Sequence, residues 1–143
     1  MTSTSGTASN KSSNKDQTPS VDVVVVGAGF AGMYMIHRLR ELGLTIRAFE
    51  SGGNVGGTWY WNRYPGARCD VPSIEYSFSF DKELEQEWNW SEVMASQEEI
   101  LVYANHIADR YDIRRDITFD TRVTKMEFDD ASARWLVETD GGE

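Results

Sequence analysis

The sequence predicts an α/β fold in which a parallel-sheet unit is followed by an antiparallel β-meander. Three observations predict it. A β-branched run, VDVVVV, is followed at once by a glycine-rich turn, GAGFAG. A helix-period segment and a second strand-like run, LTIRAFE, come next. Further on, VTKMEF and RWLVET flank a turn-rich DDASA, which is a hairpin signal.

Each element follows in order. Residues 1–20 contain ten Ser or Thr and almost nothing apolar, so a disordered leader is expected. They have neither the apolar centre of a signal peptide nor the arginines of a transit peptide, and cytoplasmic placement is expected. Order is expected to begin at Val21 to Val26, a β-branched run suited to a strand buried on both faces of a parallel sheet. The helix AGMYMIHRLRELG places Ala31, Met35, Leu39 and Leu42 on one face with Ile36 beside them, and Gly43 stops it. LTIRAFE then ends at Glu50. The next stretch, GGTWYWNRYPGARCD (Gly56 to Asp70), neither alternates nor keeps helical spacing, and Gly56, Gly57 and Pro65-Gly66 interrupt it. It reads as an aromatic-rich loop. PSIEYSFSF reads as a short extended segment, and DKELEQEWNWSEVM as irregular or weakly helical. Ser96 with Glu99 forms a capping-box signature. Ile100, Tyr103, Ala104, Ile107, Ala108 and Tyr111 follow at helical spacing, so a helix is expected from Gln97 to about Tyr111. ITF and the hairpin complete the series. The closing Thr139-Asp140-Gly141-Gly142-Glu143 reads as a tight turn toward a third strand, so the meander is expected to be incomplete at its C-terminus.

Composition narrows the classes. The chain has 143 residues, of which 40% are hydrophobic and 26% charged, the balance of a globular domain. A net charge of -9 argues against nucleic-acid binding and a basic membrane patch. No apolar run reaches membrane-spanning length. Cys69 is the single cysteine, so no intrachain disulfide forms. Metal-ligand spacing and a nucleophile-base arrangement are both missing, and no metal is expected.

The glycine-rich turn carries the first chemical reading. Between a strand and a helix, Gly27 makes the tight turn and Gly29 lets the backbone approach a pyrophosphate. Gly32 lets the helix pack on the strand, and Phe30 opens the helix. The helix N-terminus offers free amides and a positive dipole end to phosphates. Glu50 lies 23 residues after Gly27 at the tip of the second strand, where a carboxylate can accept ribose hydroxyls. A dinucleotide site follows, with NAD and FAD equally compatible because both carry an ADP half.

The spacing of Gly27, Gly29, Gly32, Ile36, Gly43 and Glu50 resembles the extended ADP-binding motif of two-dinucleotide-domain flavoproteins. The segment Gly56 to Asp70 resembles a fingerprint of the type I Baeyer-Villiger monooxygenases. Gly56, Gly57, Trp59, Tyr64, Pro65, Gly66 and Asp70 fill every one of its positions. The resemblance spans about Val21 to Glu143 and implies a Rossmann-like FAD-binding domain. On this reading residues 21–143 are its N-terminal part, with the rest of it, an NADPH domain and a catalytic arginine lying elsewhere. It implies that FAD is held by the glycine turn and Glu50. Gly57, Thr58, Trp59, Tyr60 and Trp61 would line the flavin and its ribityl chain as a dry wall. Tyr76 would also contact the flavin, and the Val123 backbone would meet the adenine. Arg68, Cys69 and Asp70 would touch NADPH, and Asp70 would orient the catalytic arginine. The implied partners are a ketone, O2 and the remainder of the enzyme. The implied reaction converts ketones to esters or lactones through a flavin C4a-peroxide, with the isolated piece inactive.

Other readings stay open at this stage. They are a non-catalytic FAD-binding or interaction module, a related flavin monooxygenase acting on N or S, and an NAD-linked dehydrogenase fragment. His37 and His106 read as surface or core-edge residues, and Trp88 and Trp90 as packing residues.

Overall fold

A computed structural model describes residues 19–142; all but the last two residues of the expected leader lie outside them. The parallel unit is present. Strand β1 (Val23–Val26), helix α1 (Phe30–Glu41) and strand β2 (Ile46–Phe49) form a β-α-β crossover, with Val23 opposite Ile46 and Val26 opposite Phe49. A two-residue strand β3 (Ile117–Thr118) adds to the far side of β2, giving the parallel order β1-β2-β3.

β1 is shorter and less covered than its sequence suggests. Val25 is buried, but Val26 is 53% exposed. Among the described residues β1 is an edge strand, so no strand pairs with its outer flank.

Helix α1 turns inward a face that is only partly the expected one: Ile36 and Leu39 pack in the core, joined by Met33. Met33 and Ile36 are buried, whereas Ala31 is exposed, Met35 is 48% exposed and Leu42 is 70% exposed. The helix carries apolar residues on two sides, and the seating on β1 and β2 chooses between them. A fully buried Ile contributes roughly 2 kcal/mol, so the choice of face is energetically decisive. Gly43 does end the helix, with φ +73° and its N–H donating to the Arg40 carbonyl. The Arg40 side chain then ties this end to the turn before β3. It donates to Asp116 at 2.5 Å, to the Tyr111 carbonyl at 2.8 Å and to the Asp112 carbonyl at 2.6 Å.

The middle of the chain holds more helix than the sequence suggests. The stretch after Gly57 forms one helical turn, α2 (Thr58–Trp61), inside the segment expected to be a loop. Residues Ser73–Tyr76 form a 3-10 turn in place of an extended segment. Helix α3 (Lys82–Glu87) is started by Asp81, whose carboxylate accepts from the Glu83 and Leu84 amides. Helix α4 (Gln97–Arg110) follows the expectation and is capped by Ser96, which accepts from the Glu99 amide. The capping box is half made: the Glu99 carboxylate accepts instead from the Ser91 amide and hydroxyl, at 2.7 and 2.8 Å.

The main core joins Val25, Met33, Ile36, Ala48, Ala104, Ala108 and Ile117, so α1, α4 and the sheet share one interior. Trp88 and Trp90 pack on Tyr103, as expected of packing residues, and His37 stacks on Phe80 at 4.3 Å. The hairpin of β4 (Val123–Asp129) and β5 (Arg134–Thr139) is antiparallel and lies largely in solvent. Among the described helices, none is long and apolar enough to cross a membrane.

Candidate functional site

The glycine turn is built by steric exclusion. Gly27 sits at φ +96°, and its N–H donates to the Phe49 carbonyl at 2.8 Å, so the turn leaves β1 over the end of β2. A methyl on Gly32 would lie 2.0 Å from the Gly27 oxygen. Only glycine allows this crossing. Gly29 caps α1 without a side-chain hydrogen bond, and no acidic residue occupies the first turn. The positive end of the helix is therefore left to face an anion.

Glu50 locks the same turn. It is 5% exposed, and its two carboxylate oxygens accept the Ala28 and Gly52 amides, each at 2.7 Å. The Ser51 hydroxyl makes a long contact of 3.5 Å to Oε1, and Oε2 keeps a second acceptor position. The Glu50 backbone in turn is bracketed by the Thr118 carbonyl and the Thr121 amide, which brings the chain entering Val123 to the tip of β2.

The aromatic segment docks on this turn through backbone. The Gly56 amide donates to the Ala28 carbonyl at 3.0 Å. Gly57, at φ +55°, lies so close to Gly29 that a methyl on Gly57 would come within 2.9 Å of the Gly29 Cα. Two motifs 28 residues apart thus meet glycine to glycine.

The aromatic residues then diverge. Trp59 is 8% exposed and packs with Cys69, Ala95 and Ile100. Its ring meets Tyr76 edge-on at 5.5 Å, and Tyr76 meets Phe30 edge-on at 5.8 Å. Tyr60 turns back over the 52–53 turn and accepts the Gly53 amide, while Trp61 and Tyr64 are exposed. The structure therefore brings Phe30, Trp59 and Tyr76 together, and leaves Thr58 and Trp61 outside that group. Of the three aromatics expected to line the flavin, Trp59 is buried, Tyr60 folds back on the 52–53 turn and Trp61 faces solvent. A cleft of about 570 Å³ opens beside the converging rings, lined by Phe30, Tyr34, Tyr76 and Phe78 among others. Burial, with Cys69 and Asp70 nearby, pushes the Tyr76 phenol up, which keeps it protonated.

Residues Ala67 to Ser73 are strapped against the chain before α4. The Cys69 amide donates to the Ala95 carbonyl and the Ser73 amide to the Val93 carbonyl. Ser73, 2% exposed, adds its hydroxyl as acceptor for the Ala95 amide at 2.7 Å. Asp70 projects from the span between these ties and is exposed. Among the described residues, no hydrogen bond or ion pair engages its carboxylate. Arg68 is already engaged, donating to Glu92 at 2.8 Å and to the Met94 carbonyl.

Sequence reasoning missed two contributors. Arg114 holds Asn54, Asn105 and Asp109 together and so fixes the turn between Glu50 and Gly56. Gln97 ties α4 to Trp59. Both contacts are long-range, and no local motif signals them.

With this geometry in view, similarity to known proteins becomes specific. The family described as NAD(P)-binding Rossmann-like domain matches residues 25–87. A Baeyer-Villiger monooxygenase of Pseudooceanicola batsensis is 49% identical over 123 residues, covering 85% of this chain and 23% of the relative. The chain is a homologue of the Baeyer-Villiger monooxygenases, matching their N-terminal portion. A phenazine N-monooxygenase of Lysobacter antibioticus is 46% identical over 123 residues, again 85% of this chain and 23% of the relative. The solved structure of an oxidized steroid monooxygenase bound to NADP aligns with a TM-score of 0.85 at 67% identity, covering 86% of this chain and 24% of that one. The chain thus spans about a quarter of the length of the monooxygenases it matches. Its α/β architecture is the Rossmann-like fold of these relatives.

Proposed function

We propose that this chain forms the FAD-binding N-terminal part of an NADPH- and O2-dependent Baeyer-Villiger monooxygenase that converts ketones to esters or lactones. The observation that carries the reading is the Gly29–Gly57 approach, which joins the phosphate turn to the aromatic segment in one cradle without side chains.

The residues present fit FAD. Gly27, Gly29, Phe30 and Gly32 leave the α1 N-terminus bare for the pyrophosphate. Glu50, pre-set by two amides, retains lone pairs for ribose hydroxyls. On this reading the Val123 backbone meets the adenine, and Gly57, Thr58, Trp59, Tyr60, Trp61 and Tyr76 serve the ribityl and flavin end. Arg68, Cys69 and Asp70 serve the NADPH end. Bound FAD would supply the redox chemistry that takes electrons from NADPH and activates O2. Asp70, exposed and unpaired among the described residues, holds a carboxylate ready for a guanidinium, and such a pairing would keep both ionised. Cytoplasmic placement belongs to the same reading.

The test is flavin retention followed by turnover. After FAD is added and excess removed, the protein retains a shifted flavin spectrum, and the complete polypeptide oxidises NADPH in a ketone-dependent manner. Preferential retention of NAD overturns the reading. The phenazine N-monooxygenase relative favours one second reading, oxygenation at nitrogen. NADPH oxidation that responds to N-heterocycles and not to ketones would select it.

A further inference from the structure

We propose that Gln97 is a positioning residue that sets the orientation of the aromatic segment; the inference rests on the FAD-binding reading above. Gln97 is the first residue of α4 and only 5% exposed. It holds the segment at two points. Its side-chain Nε2 donates to the Trp59 carbonyl, and its own amide donates to the Ala67 carbonyl at 2.8 Å.

Both bonds answer a local need. α2 is a single turn, so its terminal carbonyls lack intrahelical partners: Asn62 takes up that of Thr58, the Arg63 guanidinium that of Tyr60 at 2.7 Å, and Gln97 that of Trp59. The first amide of α4 is likewise an orphan, and Ala67 satisfies it. An apolar side chain of similar length would pack in the same volume without burying a polar group. What the amide adds is direction. It fixes the Trp59 carbonyl, and with it the tilt of the ring that meets Tyr76. The neighbouring Cys69–Ala95 tie is backbone to backbone and persists whatever side chain stands at position 97. Gln97 therefore governs the Trp59 limb of the segment, while the Asp70 limb is held independently.

The experiment compares flavin spectra and FAD affinity in the intact FAD-loaded protein for Gln97→Met and Gln97→Glu. Met keeps the length without a donor; Glu keeps the shape and can donate only when protonated, so its spectrum and affinity are read at alkaline pH, where the ionised carboxylate only accepts. The expected result is a displaced visible flavin band and FAD affinity weaker by about tenfold, the loss of one buried hydrogen bond. Ile107→Val, a core change in α4 away from the segment, serves as control and leaves the band in place. If Gln97→Met does not fold, Gln97→Glu decides the matter alone. A folded variant with the wild-type band and affinity overturns the positioning role. A wild-type protein that takes up no flavin overturns the FAD-binding reading itself, so the two failures are distinct.

Discussion

On the FAD-binding reading the glycine turn and the Asp70 span serve opposite ends of one site, and they are built on opposite principles. The turn is closed: a buried carboxylate, four amide hydrogen bonds and two steric exclusions leave one conformation. The Asp70 span is open. Its backbone is tied down at Cys69 and Ser73, yet its functional group faces solvent without a partner among the described residues. Substitution should therefore act on fold and ligand together at the first end, and on chemistry alone at the second.

The largest effect is expected at Gly32. Gly32→Ala places a methyl 2.0 Å from the Gly27 oxygen, so circular dichroism and flavin retention should both collapse. A folded, FAD-binding Gly32→Ala protein would refute the steric account of the turn. Glu50→Ala comes next. It strips the acceptor from two buried amides, which should cost roughly 1.5 to 3 kcal/mol in urea unfolding and at least about tenfold in FAD affinity. If stability falls but flavin titration does not move, Glu50 serves the turn and not the ribose.

Asp70→Ala sharpens the contrast from the other side. An exposed, unpaired carboxylate contributes little to folding, so the unfolding free energy should stay within about 0.5 kcal/mol. Flavin retention should stay within a few-fold, while ketone-dependent NADPH oxidation by the complete polypeptide is lost. Unimpaired turnover would remove Asp70 from the machinery. The smallest effect lies away from both ends. Burial and a hydrogen bond to Asp81 push the Tyr111 phenol up to about 12. In the unfolded chain it ionises near 10, so its contribution is complete below pH 10 and fades as pH rises toward 12. Tyr111→Phe should flatten the urea midpoint across that interval. An unchanged slope would show that Tyr111 does not govern it.

Much of this was readable before any coordinates. A β-branched run, GAGFAG and Glu50 specify a local β-α-β unit whose geometry is short-range, and all three landed together at the tip of β2. Ser96 marked the start of α4, and DDASA marked the hairpin. The unreadable parts share a cause. On α1 the sequence leaves Met33 and Met35 as rivals for the interior beside Ile36 and Leu39, and only tertiary contact breaks that tie. The turn Thr58–Trp61 hides among β-favouring aromatics, and its docking onto Gly29 and Gln97 overrides propensity. The strap of Ser73 onto Val93 and Ala95 spans some twenty residues and leaves no periodic trace.

The Gly29–Gly57 approach also bears on recombination. Because the contact is backbone against backbone, it carries no side-chain preference from one sequence to another. A chimaera that crosses over between Gly32 and Gly56 inherits a matched seam from any parent with glycine at both positions. The mismatches it must repair lie elsewhere, where α1 meets α4 in the shared core.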